Sequence, residues 1–281
     1  MEELSTYEKQ ALSEIDAFKH PQSTPLGAWW QRVSAPLEQA TDRALGTGPG
    51  AQLVRVVQEV VEVINNGATW TVRRPAVLQG FRDAGHADVK ELDDIRDLAL
   101  QDVDLIVGPL SSKYQALAVA EGAGSGLLGG LAIAADMGLV VGMALRAANE
   151  YATHYGFDVD NPGERLFVVR VLAAASSPNQ DVRRAALAEL ATLAAELQSS
   201  DGWRQPTADS GVKVTAKLAE ALTVRLLKGK LGQVIPLAGA VIASGYNAWF
   251  VGRVTTMAYQ LYRERFLLRT YGDELLSRLD D

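Results

Sequence analysis

Residues 121–158 read EGAGSGLLGGLAIAADMGLVVGMALRAANEYATHYGFD, and seven glycines fall between 122 and 142 of this apolar run. Inside a helix each glycine costs about 1 kcal/mol relative to alanine, so such a stretch needs a packing reason. The spacing supplies one. Gly122, Gly126, Gly130, Ala134, Gly138 and Gly142 recur at every fourth position, which on a helix forms one slanting ridge of small residues. Such a ridge lets a second backbone approach closely. It drifts about 40° per step at about 3.6 residues per turn, which suits crossing helices better than a long parallel seam. A second row follows about 110 residues later, at Gly232, Pro236, Ala240, Ser244, Ala248 and Gly252. The two rows are expected to pack on each other, with two crossed glycine-rich helical segments at the centre of an all-α, single-domain bundle.

The remaining pattern is also helical. Ser5 and Glu8 have the spacing of a capping box before a helix reaching about His20. Pro25 opens a helix closed by Gly46–Gly50, and apolar positions 53, 54, 57, 60, 61 and 64 continue the helical period. Pro75 begins a short helix, and residues 180–198 form an alanine- and leucine-rich one. Valine-rich runs at 52–64 and 167–172 are compatible with strand as well as helix. One domain over 1–281 is expected, with N-terminal helices to residue 70, a glycine-rich central part over 71–198, a polar loop at 199–211, and a basic plus an apolar helix over 212–281.

The apolar runs raise the question of membrane spans. Residues 231–252 carry no formal charge, and as a continuous helix they would measure about 33 Å. Pro236 more naturally starts a helix than interrupts one, leaving too short a span after it. Asp136 sits mid-run in the first segment, where a charge costs roughly 2.5–3.5 kcal/mol on insertion scales. Two buried helices are the expected outcome. A peripheral contact is a separate possibility, because residues 212–230 carry Lys213, Lys217, Arg225, Lys228 and Lys230 against one acid, Glu220. A basic amphipathic helix of this kind suits an anionic membrane surface, or a membrane protein, as partner.

The 281-residue chain has a net charge of −7, which disfavours nucleic acid as a partner. It contains no cysteine, so disulfides and thiolate metal sites are excluded. The charged first twenty residues show no secretory h-region, which predicts a cytoplasmic location, peripheral to the inner membrane where membrane contact occurs.

Signals for chemistry are thin. Gly124, Gly126 and Gly129 match the dinucleotide fingerprint in letters, but YQALAVAEGA before them reads as helix where a strand is needed. Ser210 and Lys213 fit S-x-x-K without its companion motifs, and Ser210 is better placed as a helix cap. Glu150, His154 and Asp158 are four apart and would share one face if the helix ran that far. Together with Asp136 they are the candidates for a catalytic or metal-binding cluster. Three histidines, His20, His86 and His154, are too few for a multi-histidine site here, and no metal or cofactor is expected. A hydrolase-like or metal-dependent enzyme is the alternative to a non-catalytic interaction protein, and an apolar-ligand or lipid binder is the third reading.

Several elements in order resemble the EcsC protein family: Glu121-Gly122, Gly126, Gly129, Asp136, then Tyr155-Gly156-Phe157-Asp158 with Glu164, and later Ile235-Pro236-Leu-Ala-Gly239-Ala240, Asn247 and YRERFLLR. The resemblance spans roughly residues 5 to 270. It implies a bacterial helical protein, cytoplasmic or membrane-peripheral, and a link to transport, since the family is named for a protein encoded beside an ABC transporter. It brings no catalytic residues with it. One departure is visible: the family pattern often places proline soon after the aspartate matching Asp136, where this chain has Met137-Gly138.

Overall fold

A computed structural model describes residues 4–21, 63, 72–125, 130–177, 179–198 and 241–272, with side chains at all but 121–125, 130–136 and 241–246. The expected helix over 25–46, most of the run at 51–67, the loop 199–211, the basic helix 212–230, Gly126 and residues 231–240 lie outside the described residues, as does the Asp136 side chain.

Helices α1 (Thr6–Lys19), α2 (Arg74–Asp83), α3 (Leu100–Val107), α4 (Leu110–Ser125), α5 (Gly130–His154), α6 (Pro162–Ala175), α7 (Gln180–Gln198) and α8 (Val241–Tyr271) make up the fold, with a 3₁₀ turn at Asp93–Asp97. Among the described residues there is no strand. Local chemistry explains the starts. The Ser5 side chain accepts from the Glu8 amide and the Glu8 carboxylate accepts from the Ser5 amide, so the capping box forms as the sequence predicts. Pro75 occupies the first turn of α2. Asn161 caps α6 by accepting from the Gly163 amide at 2.8 Å, and Pro162 follows in the first turn. The valine-rich run 167–172 is therefore helix, its start fixed by that cap. α5 runs without a break through Met137-Gly138, where the family pattern carries proline.

α8 is the axis of the bundle, packed chiefly on α4 and α5, while α6 pairs with α7 and also meets α8. Contacts along α8 give its direction. Thr255 meets Ser111 and Gly252 meets Gln115, so α8 runs antiparallel to α4. Tyr151 contacts Tyr259 and Tyr155 contacts Phe266, so α8 runs parallel to α5. The end of α4, the start of α5 and the start of α8 thus gather at one end of the molecule. Two glycines of the small-residue rows have described surroundings. A Cβ on Gly142 would meet Val63 at 3.4 Å and one on Gly252 would meet Gln115 at 3.4 Å. At these positions the close approach is to other elements, and not from one row to the other.

Sequence spacing places Glu150, His154 and Asp158 on one helix face if the helix continues; it does not. α5 stops at His154 because Gly156 takes φ +78° and turns the chain, with the Leu92 carbonyl only 2.8 Å from where a Cβ would stand. Asp158 lies beyond that turn.

Candidate functional site

Charge in this molecule is arranged in two ways. The C-terminal half of α8 carries Arg263 and Arg265, both buried. Isolated, each would carry a heavy desolvation penalty, so each has a built partner. Arg265 makes a bidentate pair with Glu164 at 2.6 Å for both bonds, its guanidinium stacked 4.1 Å from the Phe157 ring and 4.3 Å from that of Phe167. Arg263 pairs with Asp104 at 2.8 Å and donates to Glu14 at 2.9 Å. Asp104 also accepts from Tyr155 at 2.6 Å and from Tyr7 at 2.8 Å. Burial raises the Asp104 carboxyl above its ordinary range against the pull of these donors. Burial, reinforced by Asp104, pushes the Tyr7 phenol up to about 12. Between the two arginines in sequence, Glu264 pairs with Lys19. These groups tie α1, α3, α5, α6 and α8 together, and every charge is answered.

The opposite end is built differently. Leu117 and Val119 on α4, Leu139 on α5 and Trp249 on α8 are 46–55% exposed. All four lie on the helix halves that lead into or out of the glycine-rich segments. (Leu105, on α3, is a further exposed leucine.) Towards the body, each helix then presents a cation: Lys113 one turn from Leu117, Arg146 two turns from Leu139, and Arg253 one turn from Trp249. At about 1.5 Å per residue these cations stand roughly 6–10 Å behind the apolar side chains. Arg253 stacks 4.9 Å from the Trp249 ring. An open cavity of about 700 Å³ beside them is lined by Trp249, Gln115, Phe18 and Met257 among others.

The sequence-predicted cluster is partly assembled. Glu150 and His154 both line a cleft of about 430 Å³ between α2, α4 and α5, together with Arg73, Lys113 and Arg146. Lys113 donates to both Glu150 oxygens at 2.9 and 2.8 Å. Burial alone would raise the Glu150 carboxyl, but Lys113 and its hydrogen bonds prevail and hold it below the ordinary range. The His154 Nδ1 lies 2.7 Å from the Glu150 carbonyl oxygen, which makes Nδ1 the protonated nitrogen. Burial lowers the His154 pKa below 6.5. Asp158 is elsewhere, paired with Arg74, so the four-residue spacing brings two of the three groups together. Among the described residues no three potential metal ligands converge.

Sequence reasoning missed Arg73 and Lys113 as neighbours of Glu150, and it treated Glu164 and the YRERFLLR run only as family markers. One signal was available. Three consecutive charges, Arg263-Glu264-Arg265, cover about 200° of a helix whose flanks are apolar, so they cannot all face solvent on a packed helix.

Comparison with known proteins gives a consistent result. The model of the EcsC protein family matches residues 9–267. The chain is 25% identical over 272 residues to "Uncharacterized protein YdbA" of Bacillus subtilis (strain 168), covering 92% of each chain. It is 26% identical over 221 residues to "Protein EcsC" of the same organism, covering 78% of this chain and 86% of that one. No solved structure matches.

Proposed function

The chain belongs to the EcsC protein family, and from that footing we propose that it is a non-catalytic accessory protein which docks on the cytoplasmic face of a membrane through the end where α4, α5 and α8 converge. The observation that carries this reading is the order along the three helices: half-exposed Leu117, Val119, Leu139 and Trp249 nearer that end, and Lys113, Arg146 and Arg253 one or two turns further from it. Apolar side chains at the acyl boundary with cations at headgroup level is how peripheral proteins hold anionic bilayers. Among the described residues no helix is long and apolar enough to cross a membrane. The basic residues Lys213, Lys217, Arg225, Lys228 and Lys230 would add to the same contact, since their segment leads in sequence towards the start of α8. A transport protein in that membrane is the partner the family resemblance implies.

Flotation of the purified protein with phosphatidylserine-containing and neutral liposomes, at low and high salt, tests the proposal. Preference for anionic vesicles is expected, weakened by salt and by a Lys213/Lys217/Arg225/Lys228/Lys230→Gln variant. About half of each leucine is already covered, so Leu117→Gln/Leu139→Gln should remove about 2 kcal/mol of binding, roughly thirtyfold in partitioning. No flotation under any condition would refute the reading.

A further inference from the structure

The cleft holding Glu150 and His154 gathers more positive charge than the fold requires, and it adds Arg73 to the Lys113 and Arg146 of the docking end. Arg73 from the approach to α2, Lys113 from α4 and Arg146 from α5 converge on one cavity of about 430 Å³. Of these, Lys113 is answered by Glu150. Arg73 and Arg146 form no ion pair among the described residues. Both guanidiniums are exposed, so neither needs an internal partner, but two of them and an ammonium facing one cleft concentrate positive charge there and suit an anion supplied from outside. With Glu150 ionised and His154 neutral, the five groups sum to +2.

We propose that this cleft binds a phosphate monoester, its oxygens taken by Arg73 and Arg146 with Lys113 as a third donor. Guanidinium forks suit an anion with several oxygens in different directions, which one planar carboxylate does not offer. The volume suits a small ligand. His154 sharpens the choice among anions. Its Nδ1 proton is committed to the Glu150 carbonyl, which leaves Nε2 as an acceptor in a cleft whose other acceptor, the Glu150 carboxylate, is engaged by Lys113. Near neutral pH a phosphate monoester still carries a P–OH part of the time and can donate to that nitrogen, whereas sulfate and phosphodiesters cannot. Glu150 acts against the ligand and for the site: it repels the anion but holds the Lys113 ammonium in place.

The ligand could be soluble or could be the headgroup of a lipid such as phosphatidate. The second source rests on the membrane-docking reading, because Lys113 is one turn from Leu117 and Arg146 two turns from Leu139.

Isothermal titration of the full chain with inorganic phosphate and with sulfate, at fixed ionic strength, addresses the site without any membrane. Phosphate should bind more tightly than sulfate, and Arg73→Gln/Arg146→Gln should weaken it by roughly tenfold or more. Both arginines are exposed, so this variant should fold normally, with circular dichroism as the check. In Glu150→Gln the amide oxygen still accepts from Lys113 while the repelling charge is gone, so phosphate binding should tighten, and weaker binding in that variant would overturn the proposal. In a second arm, flotation compares vesicles of phosphatidate with vesicles of phosphatidylserine at matched surface charge. A phosphatidate preference lost in Arg73→Gln/Arg146→Gln identifies the lipid source. If neither phosphate binding nor a phosphatidate preference depends on the arginine pair, the site does not exist. Failure of membrane docking reads differently: no vesicle floats, while the solution titration is untouched.

Discussion

The two halves of α8 use the same residue types to opposite ends. Towards its C-terminus Arg263 and Arg265 are buried and matched with Asp104 and Glu164, stacked among rings. Towards its N-terminus Arg253 lies beside a half-exposed Trp249, in line with Lys113 and with Arg146, which has no ion-pair partner among the described residues. Charges that hold a fold together are buried and balanced, because an unbalanced one would cost a large share of the folding free energy. A charge that waits for a ligand, as that of Arg146 does, is exposed and left over. Matching, and not composition, separates the two kinds of arginine in this chain.

The hardest blow to that contrast comes from unbalancing the buried end. Glu164→Ala leaves the Arg265 guanidinium in a nearly closed site and should cost about 3–5 kcal/mol in urea unfolding. Replacing the whole pair, Glu164→Leu with Arg265→Met, should recover much of that loss. Arg146→Gln at the other end should stay within about 0.5 kcal/mol of the parent. If Glu164→Ala proved as mild as Arg146→Gln, the distinction between the two ends would collapse.

A smaller effect tests the turn that separates Asp158 from the cleft. Gly156 combines φ +78° with the Leu92 carbonyl 2.8 Å from the place a Cβ would take, and Arg269 donates to the Gly156 carbonyl at 3.3 Å. Gly156→Ala should cost about 1–3 kcal/mol. Its thermal midpoint should fall accordingly, and an unchanged midpoint would mean the turn is not constrained as described.

This turn also shows where sequence reading stops. Capping and helix starts are local, so Ser5–Glu8, Pro75 and residues 180–198 were legible from neighbours in the chain. The all-α class followed from the same signals. The site was legible only in part. Glu150 and His154 were visible as an i,i+4 pair, but Asp158 joined them by spacing alone, and a single glycine conformation moves it away. Arg73 and Lys113 reach the cleft from sites 77 and 37 residues before Glu150 in sequence, a distance over which no local pattern operates. The ion pairs of Arg263 and Arg265 span 159 and 101 positions, and only the packed bundle defines them.

The smallest effect concerns His154 and sharpens the contrast from within the cleft. The folded protein holds this imidazole neutral, its pKa lowered from 6.5 by burial. The cations Lys113, Arg73 and Arg146 also line its cleft, while Glu150 pulls the other way. The unfolded chain takes up a proton as pH drops through 6.5 and the folded protein does so only at lower pH, so folding stability falls as pH falls in that window. One such histidine accounts for no more than about 0.8 kcal/mol at pH 6. Urea unfolding of the parent and of His154→Asn between pH 8 and 6 should show the extra slope in the parent alone. Saturating phosphate at the guanidiniums of Arg73 and Arg146 brings negative charge next to the ring, which favours imidazolium and should flatten that slope. Sulfate, with no proton to share with Nε2, should bind less and flatten it less. A slope identical in parent and variant would mean that His154 is not held neutral, and that the acceptor on which the cleft's preference for a phosphate monoester depends is not there.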